Sequence, residues 1–187
     1  TMGTASTMTG IAEALGLTLS GASSIPAPDA NHIRMSTGCG RRIVEMVWED
    51  LTPAKIINRK SVDNAVTVAM SMGCSTNAII HLLAMARRAG VDLTLDDLDA
   101  AGRHVPVIAN IRPSGKKYLM EDFYYAGGLR GMMSRLKDKL NLDVITVSGK
   151  TLGETLEGAS VNNDDVIKTM DDPIYHEGSL AVLRGNL

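Results

Sequence analysis

The chain has 187 residues, 44% of them hydrophobic, with a formal net charge of −2. That length and composition predict a folded chain with a sizeable core rather than a disordered one. A charge so close to balance excludes a nucleic-acid or membrane-surface partner recruited by bulk electrostatics. Aromatic residues make up only 3%, while methionine occurs 11 times, so the core must be built from aliphatic and thioether side chains that specify shape weakly.

Two cysteines, Cys39 and Cys74, stand 35 positions apart with no C-x-x-C pair, which argues against a disulfide framework and for a reducing, cytoplasmic setting. His32, His81, His104 and His176 are scattered. The chain has no H-E-x-x-H, no complete phosphate loop and no G-x-G-x-x-G. No apolar run approaches the length of a membrane span.

In chain order, Met2 to Leu15 mixes small residues and Met and predicts a helix ending at Gly16. Leu17 to Ser20 reads as extended, and the segment from Gly21 to Asn31, with Pro26 and Pro28, as a loop. A helix is predicted from Arg34 to Glu49, with Ile43, Val44 and Val47 on its inner face. Thr52-Pro53 opens a short helical turn. Two helices follow, from Lys60 to Met72 and from Ala78 to Gly90. They are separated by Gly73-Cys74-Ser75-Thr76-Asn77, with Ser75 as the expected N-cap of the second.

Thr94 to Gly102 is predicted as an acidic helix whose Asp96, Asp97 and Asp99 point in different directions and serve as solvated and helix-terminal charges rather than a metal cluster. Val105 to Ile111 is mostly apolar and β-branched, the pattern of a strand covered on both faces, with Pro106 near its start. The turn from Arg112 to Lys117 would lie at the carboxyl end of that strand, where open sheets place ligands. Glu121 to Leu140 reads as a helix interrupted at Gly127-Gly128. Val144 to Val147 reads as an extended piece or strand, Thr151 to Leu156 as a capped helix start, Asp164 to Met170 as a short helix, and Gly178 to Leu187 as a final strand. The sum is a helix-rich α/β layered domain around a small, mainly parallel sheet.

A set of motifs carries a resemblance. Met2-Gly3-Thr4-Ala5-Ser6-Thr7-Met8, Gly40-Arg41-Arg42-Ile43-Val44, Ala69 to Asn77 with His81-Leu82-Leu83-Ala84, Tyr118 to Asp122 with Ala126-Gly127-Gly128, and the run from Gly178 to Leu187 follow one another in family order. Together they resemble the dihydroxy-acid and sugar-acid dehydratases, the family that includes 6-phosphogluconate dehydratase, and most closely its pentonate branch of the L-arabinonate dehydratase type.

The resemblance implies a hydro-lyase that removes water from a 2,3-dihydroxy carboxylate or aldonic acid and gives a 2-oxo-3-deoxy acid. It implies an iron–sulfur cluster, 2Fe–2S rather than 4Fe–4S, acting as Lewis acid on the departing hydroxyl, and Mg²⁺ holding the carboxylate side. It also implies a homodimer or homotetramer. The family's cluster cysteines, Mg²⁺ ligands and catalytic serine have no counterpart in this chain. Residues 1–187 therefore match a middle segment, truncated at both ends. Residues 180–187 form a strand leading toward an absent C-terminal β-barrel, and the segment alone is expected to be inactive. Thr4, Ser75, Thr76, Asn77 and Glu121 are the candidates for lining the substrate or cofactor pocket; no catalytic or metal-ligating residue is assigned. A small α/β module binding phosphate or nucleotide through Ser148-Gly149-Lys150-Thr151 or Arg112 to Lys117 stays open beside it.

Overall fold

The computed structural model describes residues 2–186, and its regular secondary structure is almost wholly helical. Its helices are α1 (Thr4–Ala14), α2 (Ala30–Trp48), α3 (Pro53–Ile56), α4 (Arg59–Met72), α5 (Asn77–Arg88), α6 (Leu95–His104), α7 (Met120–Tyr125), α8 (Gly128–Arg135) and α9 (Leu152–Thr155). Single 3-10 turns occupy Ala22–Ser24 and Lys137–Lys139.

The organising element is α4. Eleven of its 14 residues are buried, from Ser61 to Met72 apart from Asp63. A helix buried all round needs neighbours on every side, and α4 has them: α1, α5 and α6 all pack against it. Its start is fixed by a reciprocal pair of bonds, in which the Asn58 side chain accepts from Ser61 N–H and the Ser61 hydroxyl accepts from Asn58 N–H. Inside, Asn64 is fully buried but satisfied, because its amide donates to Asn141 O at 2.9 Å and accepts from Asn141 N–H at 2.7 Å. The helix ends at Gly73, whose φ of +80° supplies the left-handed cap. The same glycine allows close approach: a Cβ there would stand 2.6 Å from Ser114 Cβ.

The parallel sheet does not form. Among the described residues there are only isolated bridges: Val107 with Tyr175, Ala109 with Ile167, Ile111 with Tyr118, and Ile145 with Thr151. Residues 105–111 are extended and buried as expected, yet their partners are not strands. Ile108 N–H and Ala109 N–H both point at the carbonyl of Ser71, near the end of α4, while Asn110 N–H donates to Val166 O. A helix terminus leaves carbonyls free, and here one of them replaces the neighbouring strand. The segment is therefore a core spike wedged between helices, and its apolar run reflects burial rather than sheet pairing.

Three further expectations are corrected. Residues 164–170 make a turn rather than a helix, and residues 178–186 run without strand pairing; Leu187, the last residue of the expected final strand, lies outside the described residues. The expected inner face of α2 is outermost: Ile43, Val44 and Val47 are exposed, and Met46 is the only buried residue of the helix. The acidic helix α6 matches its expectation. Thr94 and Asp97 cap it reciprocally, Asp97 also pairs with Arg59 at 3.0 Å, and Asp99 pairs with Arg103 at 2.8 Å.

Candidate functional site

The first turn of α1 and the start of α5 meet. Asn77 Nδ2 donates to Thr4 Oγ1 at 3.0 Å and to Ser75 Oγ at 3.1 Å, and the Thr4 and Ser75 hydroxyls lie 3.3 Å apart. The three side chains form a closed triangle on the surface. It rests on Thr7, fully buried one turn further along α1, whose Oγ1 accepts from Ser75 N–H at 3.0 Å and donates to Met2 Sδ.

The loop before α5 is held from the other side by Ser114, whose hydroxyl donates to Gly73 O at 2.9 Å, and by Ser179, 3.8 Å from Cys74 Sγ. Cys74 is thus a packed core thiol, which burial pushes up to about 11. At neutral pH it is protonated and a poor ligand.

The N-cap of α5 is Thr76, with no side-chain cap bond, rather than the expected Ser75. Ser75 nonetheless does much of the capping: its hydroxyl accepts from Asn77 N–H at 3.3 Å and its carbonyl from Ala78 N–H at 2.9 Å. At α1 the cap is Gly3, again without a side-chain bond, and no acidic residue lies in the first turn. Among the described residues, the N–H groups of Thr4, Ala5 and Ser6 have no backbone or side-chain acceptor. This is an exposed helix start with positive partial charge, flanked by two hydroxyls and an amide, and it suits a carboxylate or a polyhydroxylated anion.

The five predicted site residues divide. Thr4, Ser75 and Asn77 come together; Thr76 is exposed beside them. Glu121 is not part of the triangle. It lines a separate cavity of about 280 Å³ together with Ala5, Ser6 and Thr9 of α1 and residues 23–27. The first two turns of α1 thus connect the two features.

Two residues escaped sequence reasoning. Thr7 carries the triangle, and its position one turn after Thr4 on the same helix was the available signal. Glu13, 2% exposed, accepts from Gly21 N–H at 2.6 Å and Ser23 N–H at 2.9 Å. It thereby holds the loop that walls the Glu121 cavity. Burial raises its pKa, against the lowering effect of Ser23, Gly21 and Arg130. A buried carboxylate bonding a loop ten residues away leaves no pattern in a sequence.

Several of the groups considered for phosphate have internal partners. Thr151 Oγ1 accepts from Glu154 N–H in the cap of α9, and the Ser148 hydroxyl lies 2.8 Å from that of Thr146. Arg112 Nε donates to Lys116 O, Lys117 Nζ pairs with Asp165 at 3.1 Å, and Tyr118 OH donates to the same carboxylate at 2.7 Å.

Among the described residues, no three His, Cys, Asp or Glu side chains group as a metal site. Cys39 sits on α2 and Cys74 beside α5, one half-buried and the other fully buried. These two thiols in separate elements do not fit an iron–sulfur cluster.

The fold and the triangle describe a helical scaffold presenting a polar, anion-compatible helix start. The comparisons say whose scaffold it is. The profile described as dihydroxy-acid/6-phosphogluconate dehydratase N-terminal matches residues 1–155, and the chain belongs to this family. It is 50% identical, over its whole length, to a 6-deoxy-6-sulfo-D-gluconate dehydratase from Pseudomonas putida, of which it covers 33%. It is 49% identical over 94% of its length to an L-arabinonate dehydratase from Rhizobium leguminosarum, covering 31% of it. To a dihydroxy-acid dehydratase from Methanosarcina barkeri it is 45% identical throughout, covering 34%. The chain spans about a third of the length of these curated relatives.

Proposed function

We propose that this chain is part of a hydro-lyase that dehydrates a 2,3-dihydroxy carboxylate or aldonic acid to a 2-oxo-3-deoxy acid, and that it supplies one wall of the substrate pocket. Family membership supports the reaction class. The observation that carries the pocket assignment is the uncapped start of α1 against the Thr4–Ser75–Asn77 triangle.

In this reading the substrate carboxylate faces the N–H groups of Thr4, Ala5 and Ser6, where the helix dipole stabilises negative charge without a desolvated counter-ion. The Thr4 and Ser75 hydroxyls and the Asn77 amide hydrogen-bond to substrate hydroxyls and fix its orientation. Thr7 and Ser114 hold that constellation without touching the substrate. Glu121 faces the far end of an extended substrate and accepts from its distal hydroxyls.

The iron–sulfur cluster and Mg²⁺ belong to the proposal only for the complete protein, with their ligands drawn from outside residues 1–187. The same holds for a homodimeric or homotetrameric assembly and a cytoplasmic location. Among the described residues no helix is long and apolar enough to cross a membrane.

The test is to express the polypeptide at full family length and replace Asn77 by Ala. The expected result is a fall in kcat/KM of about 10-fold or more with the fold retained, the size of one or two lost substrate hydrogen bonds. Unchanged kcat/KM overturns the pocket assignment. The isolated chain is expected to form no 2-oxo-3-deoxy acid from an aldonic acid, and turnover by it overturns the reading of a partial site.

A further inference from the structure

The first half of α2 borders a cavity of about 480 Å³ that the start of α8 also borders. Asn31, Arg34, Met35 and Gly38 line it at the three- and four-residue steps that bring side chains to one side of a helix. Tyr124, Gly127, Gly128 and Arg130 line it as well. Arg34 and Arg130 are its charged residues, and no carboxylate borders it. Both guanidiniums are held, and both by neutral oxygens. Arg130 Nε donates to Thr155 O and its Nη2 to Glu157 O, each at 3.1 Å. Arg34 Nη1 donates to Asn31 Oδ1 at 2.9 Å, and Asn31 Nδ2 donates to Tyr124 OH at 3.1 Å.

A guanidinium oriented by carbonyl oxygens keeps its full charge. Arg42, Arg59, Arg103 and Arg135 each meet a carboxylate; among the described residues Arg34 and Arg130 meet none. Glu13 is near enough to feel the charge of Arg130, yet its oxygens are taken by the N–H groups of Gly21 and Ser23. Two like charges on one cavity repel unless something negative stands between them. Helix α8 adds to the positive field, because it opens at this cavity with no acidic residue in its first turn. Tyr124 OH, having accepted from Asn31, keeps its own proton to donate.

We propose that this cavity binds a small organic phosphate monoester. Two guanidiniums without counter-ions match a dianion, and their planar forks match its paired oxygens. The organic part follows from size and lining. The volume lies in the range of sites for whole small molecules, and Ile25, Met35 and Leu129 supply apolar wall. The cavity shares no lining residue with the Thr4–Ser75–Asn77 triangle and adjoins the Glu121 cavity at Ser24 and Ile25. The inference stands on these residues and does not rest on the proposed reaction.

The test titrates the 187-residue chain with phenyl phosphate and with inorganic phosphate at constant ionic strength, reading heat and amide shifts. Phenyl phosphate is expected to bind with a Kd on the order of 0.1 mM, and inorganic phosphate about tenfold more weakly. The amides of Gly127 and Gly128 should shift with either probe. Arg34→Gln, at an exposed position of α2, should weaken phenyl phosphate about tenfold or more. Arg41→Gln removes the same charge from the same helix without bordering the cavity, and should leave the Kd unchanged. Arg130→Lys keeps the charge but loses the fork, and should weaken binding several-fold. Gluconate, an aldonate, should not displace phenyl phosphate. No binding at about 10 mM, equal Kd for the two probes, equal effects of Arg34→Gln and Arg41→Gln, or displacement by gluconate each overturns the proposal.

Discussion

At the scale of single residues, two positions hold the candidate site in shape. Gly73 combines a φ of +80° with a Cβ position 2.6 Å from Ser114 Cβ. Replacing it by Ala should cost about 2–4 kcal/mol, from left-handed backbone strain plus displacement of the turn that carries Ser114. Urea unfolding measures the loss, and a change below about 0.5 kcal/mol, the range of an ordinary surface substitution, would show that the approach is not tight. Glu13 makes the second case. Its carboxylate receives two backbone N–H bonds from the loop at Gly21 and Ser23, so Glu13→Ala should destabilise by about 1–3 kcal/mol by leaving those donors unpaired. Because burial raises its pKa, the folded state favours the protonated acid. The stabilising share of that protonation is complete below the unfolded value near 4.5 and is lost as pH rises through the higher folded value. Glu13→Gln, which cannot ionise, should flatten the stability profile across that interval. A profile as steep as wild type would mean that Glu13 titrates normally.

At the scale of elements, the helices follow from patterns that the sequence displays. Gly73 splits α4 from α5, Pro53 opens α3, Thr94 and Asp97 cap α6, and Thr151 and Glu154 cap α9. Asp97 gives a measurable consequence. The hydrogen bond from Arg59, then that of Thr94, holds its pKa down to about 2 from 3.8. Its contribution is present above pH 3.8 and disappears as pH falls toward 2. The stability difference between Asp97→Asn and wild type, followed by denaturant midpoints, should therefore shrink across that window. A difference constant from pH 6 to pH 2 would show that the ion pair carries none of it. Half of this pair is exposed, so the effect is small.

The sheet was not legible for a physical reason. An apolar β-branched run announces burial, and residues 105–111 are buried, but only tertiary structure reveals that the acceptor for Ile108 and Ala109 is the Ser71 carbonyl at a helix end. Likewise, the periodicity of α2 shows an apolar stripe without saying which side the body takes; the body takes Met46 and Arg42, and Val44 and Trp48 are left outside. Of the site, the Ser75 and Asn77 side chains and Thr4 were legible as small polar groups at helix starts. Their junction was not, because a bond between positions 4 and 77 depends on how α1 packs on α4 and α5.

At the scale of the whole molecule, the chain is a helical scaffold of the dihydroxy-acid/6-phosphogluconate dehydratase family, built around one largely buried helix. Two surfaces of the scaffold are unfinished in different ways. The start of α1 is polar, uncapped and small; the outer side of α2 is apolar and exposed. They lie on different elements, and Asn77→Ala should change catalysis without touching α2. The measurement that bears most directly on the pocket is a kinetic one. In the full-length polypeptide, formation of the 2-oxo-3-deoxy product from an aldonic acid is followed for wild type, Ser75→Ala and Thr4→Val. kcat/KM is expected to be lower by about 10-fold or more in each variant, with the unfolding midpoint unchanged in Thr4→Val and slightly lowered in Ser75→Ala, which also loses the hydroxyl that accepts from Asn77 N–H. Wild-type kcat/KM in both variants would contradict the pocket assignment.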